Sequence, residues 1–259
     1  MFAARRSLGL WEERVLPQDR RGVADVGTER ERPEPGARTR VTRRTRAGGR
    51  PVTGWPIEAL ERLLPTTYGI DEQVDWAVAE ARWGACFPAD YKAFMSAYGE
   101  GSVDDVIVVH RPMPADTPDG CHAADAMADG TGAVREVWRV EADEIWADPA
   151  GPDMVLDPGA LLAWGTTTEA DILCWLTTDE DPDRWPVVVC GRHTVPTFAL
   201  YRFGMAEFLR RLLAGCFDSV PLSVEGVMAR RSHAFVSRAV QRARRRAGLD
   251  PWTGEPQGS

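Results

Sequence analysis

From Trp55 onward the chain runs through two hydrophobic periods in turn, and before Trp55 it has none. Ile57, Leu60, Leu63 and Leu64 recur at helical spacing behind Pro56, a residue suited to a first helical turn, and predict a helix over 55–64. Val74, Val78 and Ala81 predict a second over 71–82. In a third, over 88–98, Tyr91, Phe94, Met95 and Tyr98 share one face; Pro88 opens the helix and Gly99 closes it. The period then changes. Residues 103–110 form a β-branched run that reads as a strand ended by Pro112, and 111–132, rich in Pro, Asp, Gly and Ala, reads as loop. Val134, Val137, Trp138 and Ile145 predict a helix over 133–146, broken by the Asp148–Pro152 turn. Short strands follow at 161–164, 172–176, 186–190 and 197–203, with connections compact enough for antiparallel neighbours. Met205, Phe208, Leu209, Leu212 and Leu213 give a closing helix its apolar face over 205–214, and Gly215 stops it.

Helices, then a sheet, then a helix predict an α+β fold: N-terminal helices, a mostly antiparallel sheet of about five or six strands, and a closing helix. The pattern divides the chain into an arm (1–50), a domain (51–223) and a tail (224–259). The domain's length suffices to bury roughly 70% of its unfolded surface, enough for a core without disulfides. The arm, dense in Arg, Gly, Pro and Thr, reads as disordered and basic, and as a start-site extension outside the globular pattern. In the tail, Met228, Phe235, Val236, Ala239, Val240 and Ala243 make a rough apolar stripe among arginines. It reads as a basic helix leaning on the domain, with a membrane surface or an acidic groove as the alternative contact. No run approaches the roughly 18 apolar residues of a membrane span. No apolar segment follows the N-terminal arginines, so no secretory signal is expected. The five cysteines are odd in number and scattered, as expected of reduced thiols in a cytoplasmic protein.

Charge changes the picture. The net −8 hides a partition: 13 Arg against seven acids in 1–50, 11 basic against 29 acidic groups in 51–224, and seven Arg against three acids in 225–259. A domain at −18 disfavours nucleic acid as its partner, because phosphate binding draws on Lys and Arg. It favours a basic protein, through steering of the encounter.

Catalytic spacings are missing. The chain has no phosphate-binding Gly-x4-Gly-Lys loop, no His-Glu-x-x-His helix and no Gly-x-Ser-x-Gly elbow. Cys190 and His193 could supply two metal ligands, but no second pair stands at zinc spacing, and Cys121-His122 is too close for a clamp. The run Asp179-Glu-Asp-Pro-Asp183 begins like a calcium loop, yet the positions that need Gly and a final acid hold Arg184 and Cys190. A strand-connecting turn explains it better. His110 and His193 are the histidines nearest strands and the only candidates for a general base, which would need a partner and a pocket. No cofactor, metal or catalytic residue is expected. What remains is a cluster of tryptophans, Trp164, Trp175 and Trp185, beside the acids, which either closes a core or anchors a partner.

Four motifs carry a resemblance. Phe87-Pro-Ala-Asp-Tyr-Lys-Ala-Phe-Met-Ser-Ala-Tyr-Gly-Glu-Gly101 resembles the opening helix of the SMI1/KNR4 family, the SUKH superfamily. Trp164-Gly-Thr-Thr-Thr-Glu-Ala-Asp171 resembles its Trp-Gly-x-Thr-x-x-Gly-Asp segment, Trp175 and the Trp185-Pro-Val-Val-Val run sit in similar places, and Phe208 to Gly215 resembles its closing helix. The likeness covers 55–223. One departure is Ala170, which stands where the family usually has glycine; a turn needing positive φ would strain it by about 1 kcal/mol. The resemblance implies an α+β fold without catalysis and a binding role: many bacterial members are similar to immunity proteins against polymorphic toxins, often nucleases, and fungal members serve as regulatory interaction proteins in cell-wall signalling. The expected function is therefore neutralisation of a basic toxin domain in the cytoplasm, the alternatives being a regulatory module without a toxin or, last, an enzyme using His110 or His193. The expected contact residues are Asp104, Asp105, Asp171, Asp179, Glu180, Asp181 and Asp183 as acids, with Trp164, Trp175 and Trp185 as anchors.

Overall fold

The computed structural model describes residues 57–113, 125–141, 146–147, 157–219, 221–224 and 226–256. The arm assigned to 1–50, and Cys121 and His122, lie outside them. In chain order the elements are α1 (Ile57–Glu61), α2 (Trp76–Trp83), α3 (Ala89–Ala97), β1 (Gly101–Val103), β2 (Ile107–Val109), α4 (Ala126–Glu141), β3 (Trp146–Ala147), β4 (Leu161–Thr167), β5 (Ile172–Leu176), β6 (Val187–Cys190), β7 (Phe198–Tyr201), α5 (Met205–Leu213), β8 (Phe235–Ser237) and α6 (Arg238–Arg246). The strands form one sheet in the order β3-β7-β6-β5-β4-β2-β1-β8. Seven of them are antiparallel; β3 adds two residues in parallel beside β7. The fold is α+β, with more strands than the pattern predicts.

Two of the extra strands come from stretches whose chemistry misled the pattern. The β-branched run at 103–110 is not one strand but a hairpin. Asp104 and Asp105 turn it at φ 53° and 59°, and Val106 N–H donates to Val103 O at 3.0 Å. Two left-handed residues between paired strands are the geometry that matches sheet twist, and aspartate tolerates it. Phe235 and Val236, grouped by their spacing with the basic helix, instead pair with β1 as the edge strand β8. All three residues of β8 are buried, which suits a strand in the core better than one face of an exposed helix. Phe235 then packs edge-on against Phe94 and Tyr98. Ser237 caps the helix that follows by accepting from Val240 N–H at 3.4 Å.

Helices cover both faces. Leu60 and Leu64, Tyr91, Phe94 and Met95 of α3, and Phe208, Leu209 and Leu212 of α5 share one buried cluster with Trp164, Leu173, Trp175, Val187 and Val189. The alternate residues point the other way, where Trp138 of α4 packs on Phe198 with ring centroids 4.7 Å apart. The helix predicted at 133–146 begins at Ala126 instead, because Gly130 and Gly132 lie inside it and lower its helical signal. Gly130 lets α4 lie close to the sheet: a Cβ would stand 3.2 Å from that of Ala163. A bulge in β4 between Ala163 and Gly165 makes Trp164 the extra residue. The bulge frees Ala163 N–H, which donates to Thr131 of α4 at 3.0 Å. Gly165 allows β2 to approach; a Cβ there would meet Val108 O at 2.7 Å.

Candidate functional site

Strand register divides the seven expected contact acids between two ends of the sheet. Ile107 of β2 pairs with Thr167 of β4, so the Asp104-Asp105 turn lies at the same end as Asp171, which precedes β5. The β5–β6 loop with Asp179, Glu180, Asp181 and Asp183 leaves from the opposite end, where Trp175 pairs with Val187. A seven-residue strand such as β4 separates the ends by about 20 Å. The acids therefore do not form one patch.

The tryptophans belong to neither end. Trp164 and Trp175 are fully buried and Trp185 nearly so, which corrects their assignment as partner anchors. Trp175 packs edge-on against Tyr91 at 4.9 Å and touches Trp164 and Trp185 at 6.2 and 6.4 Å between centroids. Trp185 has a second use: its indole N–H donates to Asp179 O at 2.7 Å and pins the acidic loop from below.

At the hairpin end two expected contact residues are internal. Asp104 Oδ2 accepts from His233 Nδ1 at 2.6 Å, and its Oδ1 accepts from Ala234 N–H at 3.0 Å. His233 Nε2 faces Leu213 O at 2.9 Å, so both ring nitrogens point at acceptor atoms of the fold. The pair locks the β1–β2 turn, the segment before β8 and the end of α5 together. Asp171, fully buried, accepts from Thr167 Oγ1 (2.8 Å), Arg192 N–H (2.9 Å), Ser223 N–H (2.9 Å) and Ser223 Oγ (2.5 Å). It joins three segments far apart in sequence. Asp104 and Asp171 are thus latches and are unavailable to a partner. Asp105 alone of this group is exposed. Ala170, the departure noted in the sequence, sits at φ 64°.

The opposite end is different. Asp181 N–H donates to Asp179 Oδ1 at 3.0 Å, Asp183 N–H donates to Asp181 Oδ1 at 3.1 Å, and Asp183 Oδ1 in turn accepts from Ala89 N–H at 2.6 Å. The last bond supplies α3 with the cap that Pro88 cannot give. Arg184 adds an ion pair to Asp179 at 3.3 Å. Glu180, Asp181 and Asp183 stay exposed and Asp179 half-buried, and Asp181 and Asp183 use only one carboxylate oxygen each in these bonds. Thr177 N–H donates to Ala160 O at 2.8 Å and brings up the turn before β4, where Asp157 is exposed. Sequence reasoning missed Asp157, although its Asp-Pro-Gly turn marked the position. Beneath the loop, Asp90 Oδ2 caps α5 by accepting from Ala206 N–H at 2.9 Å. Burial pushes its carboxyl above the usual range, opposed by that N–H.

His110 is buried, with Nε2 3.1 Å from Thr166 Oγ1 and no partner for Nδ1 among the described residues. Burial, with Arg238 nearby, pulls it down to about 4. His193 is exposed on the β6–β7 loop. The histidine that does bond a carboxylate is His233, which the sequence reading passed over among arginines. Its outer nitrogen is turned inward to Leu213 O at 2.9 Å and is not presented to a substrate. Among the described residues no three His, Cys, Asp or Glu gather as metal ligands, and no helix is long and apolar enough to cross a membrane. No family model, no curated protein and no solved structure matches the chain.

Proposed function

We propose that this chain is a non-catalytic binding domain that offers the β5–β6 end of its sheet to a basic protein. One observation carries the reading: four carboxylates (Asp179, Glu180, Asp181 and Asp183) and one cation, Arg184, stand on a loop fixed by its own backbone, by Trp185 and by α3, beside the turn that carries Asp157 and is held by Arg135 through Gly159 O. A loop already ordered does not lose side-chain and backbone freedom on binding, so its charge acts at full strength on encounter. Nuclease domains present positive charge to phosphate, and a rigid acidic rim imitates that substrate. Together with the resemblance to the SMI1/KNR4 family, this points to a cytoplasmic immunity protein with a toxin domain as its partner. The enclosed, weakly basic His110 and the occupied His233 weigh against catalysis.

The test is capture of the partner from the native organism, joined to co-expression rescue with any neighbouring toxin gene. Neutralising the loop with D179N, E180Q and D181N together is expected to slow association about tenfold at low salt and to flatten its salt dependence. Unchanged rate and slope would remove the loop from the interface.

A further inference from the structure

The acidic domain ends in a helix of the opposite sign. Helix α6, Arg-Ala-Val-Gln-Arg-Ala-Arg-Arg-Arg, has five arginines and no acid in nine residues. Two of the five are engaged within the molecule. Arg238 faces Glu100 at 3.7 Å; Arg244 covers the Tyr68 ring at 4.6 Å and donates to the carbonyls of Pro251 and Trp252. The other three, Arg242, Arg245 and Arg246, are exposed, with Arg242 also within electrostatic reach of Glu100. Arg245 and Arg246 stand three and four residues after Arg242, so each neighbours it on the helix surface, about 5–6 Å away between Cβ atoms.

The helix that holds them is fixed. Gln241 is buried and donates to Ser102 Oγ at 3.1 Å and Val236 O at 3.0 Å, so α6 is bolted to β1 and β8. The same packing turns Val240 partly inward, and among the exposed residues of the helix only Ala243 is apolar. A bilayer would need an apolar face to insert, and a protein interface would need an aromatic or aliphatic anchor. The exposed face offers neither. What it offers is a row of guanidinium forks, which match phosphate oxygens in pairs. The acids nearest in sequence, Asp250 and Glu255, follow the helix, and Asp250 is already engaged by the N–H groups of Trp252 and Thr253.

We infer that the exposed face of α6 binds the phosphodiester backbone of a nucleic acid without reading its sequence. The acidic remainder of the domain confines the contact to this one edge, so the footprint is about three phosphates. For three neutralised phosphates the logarithm of affinity falls with the logarithm of salt at a slope of about −2 to −3. This surface is separate from the acidic loop, and the two proposals fail independently.

The experiment is fluorescence anisotropy of the full chain with a labelled oligo-dT strand and with a duplex of equal length, across a salt series. The variant R242Q/R245Q/R246Q is expected to lose at least about tenfold in affinity and most of the salt slope. The single variant R245Q is expected to lower the slope by about one. D179N/E180Q/D181N is expected to bind the oligonucleotide at least as well as the parent. Failure to bind either oligonucleotide at low salt overturns the inference. So does binding that R242Q/R245Q/R246Q leaves unchanged while its circular dichroism and melting match the parent, or arginine-dependent binding to phosphatidylserine vesicles without any to nucleic acid.

Discussion

Asp171 and Asp181 flank the same strand, β5, and have opposite fates. Asp171 is fully buried with four donors converging on its carboxylate from the β4–β5 turn, the β6–β7 loop and the segment after α5. Asp181 is exposed and accepts from one N–H two residues away in its own loop. The difference lies in where the donors come from. Local donors shape a loop and leave a carboxylate in water, where its charge can act on a partner. Donors from distant segments desolvate the carboxylate and make it structural. An acidic residue's type therefore says little about its role until its donors are known.

Breaking the buried end gives the largest effect. Asp171→Ala strands the N–H groups of Arg192 and Ser223 and two hydroxyls, and is expected to cost about 4 kcal/mol in urea unfolding. Asp181→Ala, which removes only a local cap, is expected to cost about 1 kcal/mol or less. Equal losses would abolish the distinction between the two ends.

His110 tests the cost of burial in a group without a charge partner. Its folded value, about 4, lies below the ordinary one of 6.5, so the unfolded chain binds more protons between them. This contribution to stability is complete above pH 6.5 and is lost as pH falls toward 4. Between pH 7 and pH 5 it amounts to about 2 kcal/mol. Unfolding of the His110→Phe variant at the two values is expected to lack that part of the pH dependence, whatever its absolute stability.

Ala170, beside the Asp171 latch, is held at φ 64°. Ala170→Gly is expected to stabilise by about 1 kcal/mol, read as a shift in denaturant midpoint at constant slope. No gain would mean that the flexibility glycine adds to the unfolded chain cancels the relief. The smallest effect on stability belongs to the acidic loop. D179N/E180Q/D181N retains amide oxygens that can accept the same N–H bonds, and is expected to change unfolding by less than about 0.5 kcal/mol while slowing association.

Particular residues show how much was legible in the sequence. Helix α3 and the closing helix α5 lie close to where their apolar spacing placed them, because one face of each meets the core and their stop signals are glycines. The Asp179–Asp183 run is the turn that its Pro and Asp content described. Asp104 and Asp105 were legible as acids but not as a hairpin, since neither is glycine and the left-handed turn rests on the pairing of β1 with β2. His233 gave no sign of its partner, because Asp104 lies 129 residues earlier. The tryptophans admitted two readings, core or anchor, and composition could not choose between them.

The order of amino acids determined the periods, the turns and the charge of each segment, since these depend on neighbours along the chain. It also determined that the domain is acidic and its tail basic. Only the tertiary structure decided which acids are buried, that Trp185 supports the acidic loop from within, and that the basic helix is fixed to the sheet edge with three arginines outward. Burial and donor supply are set by residues brought together across the sheet, and no local window contains them.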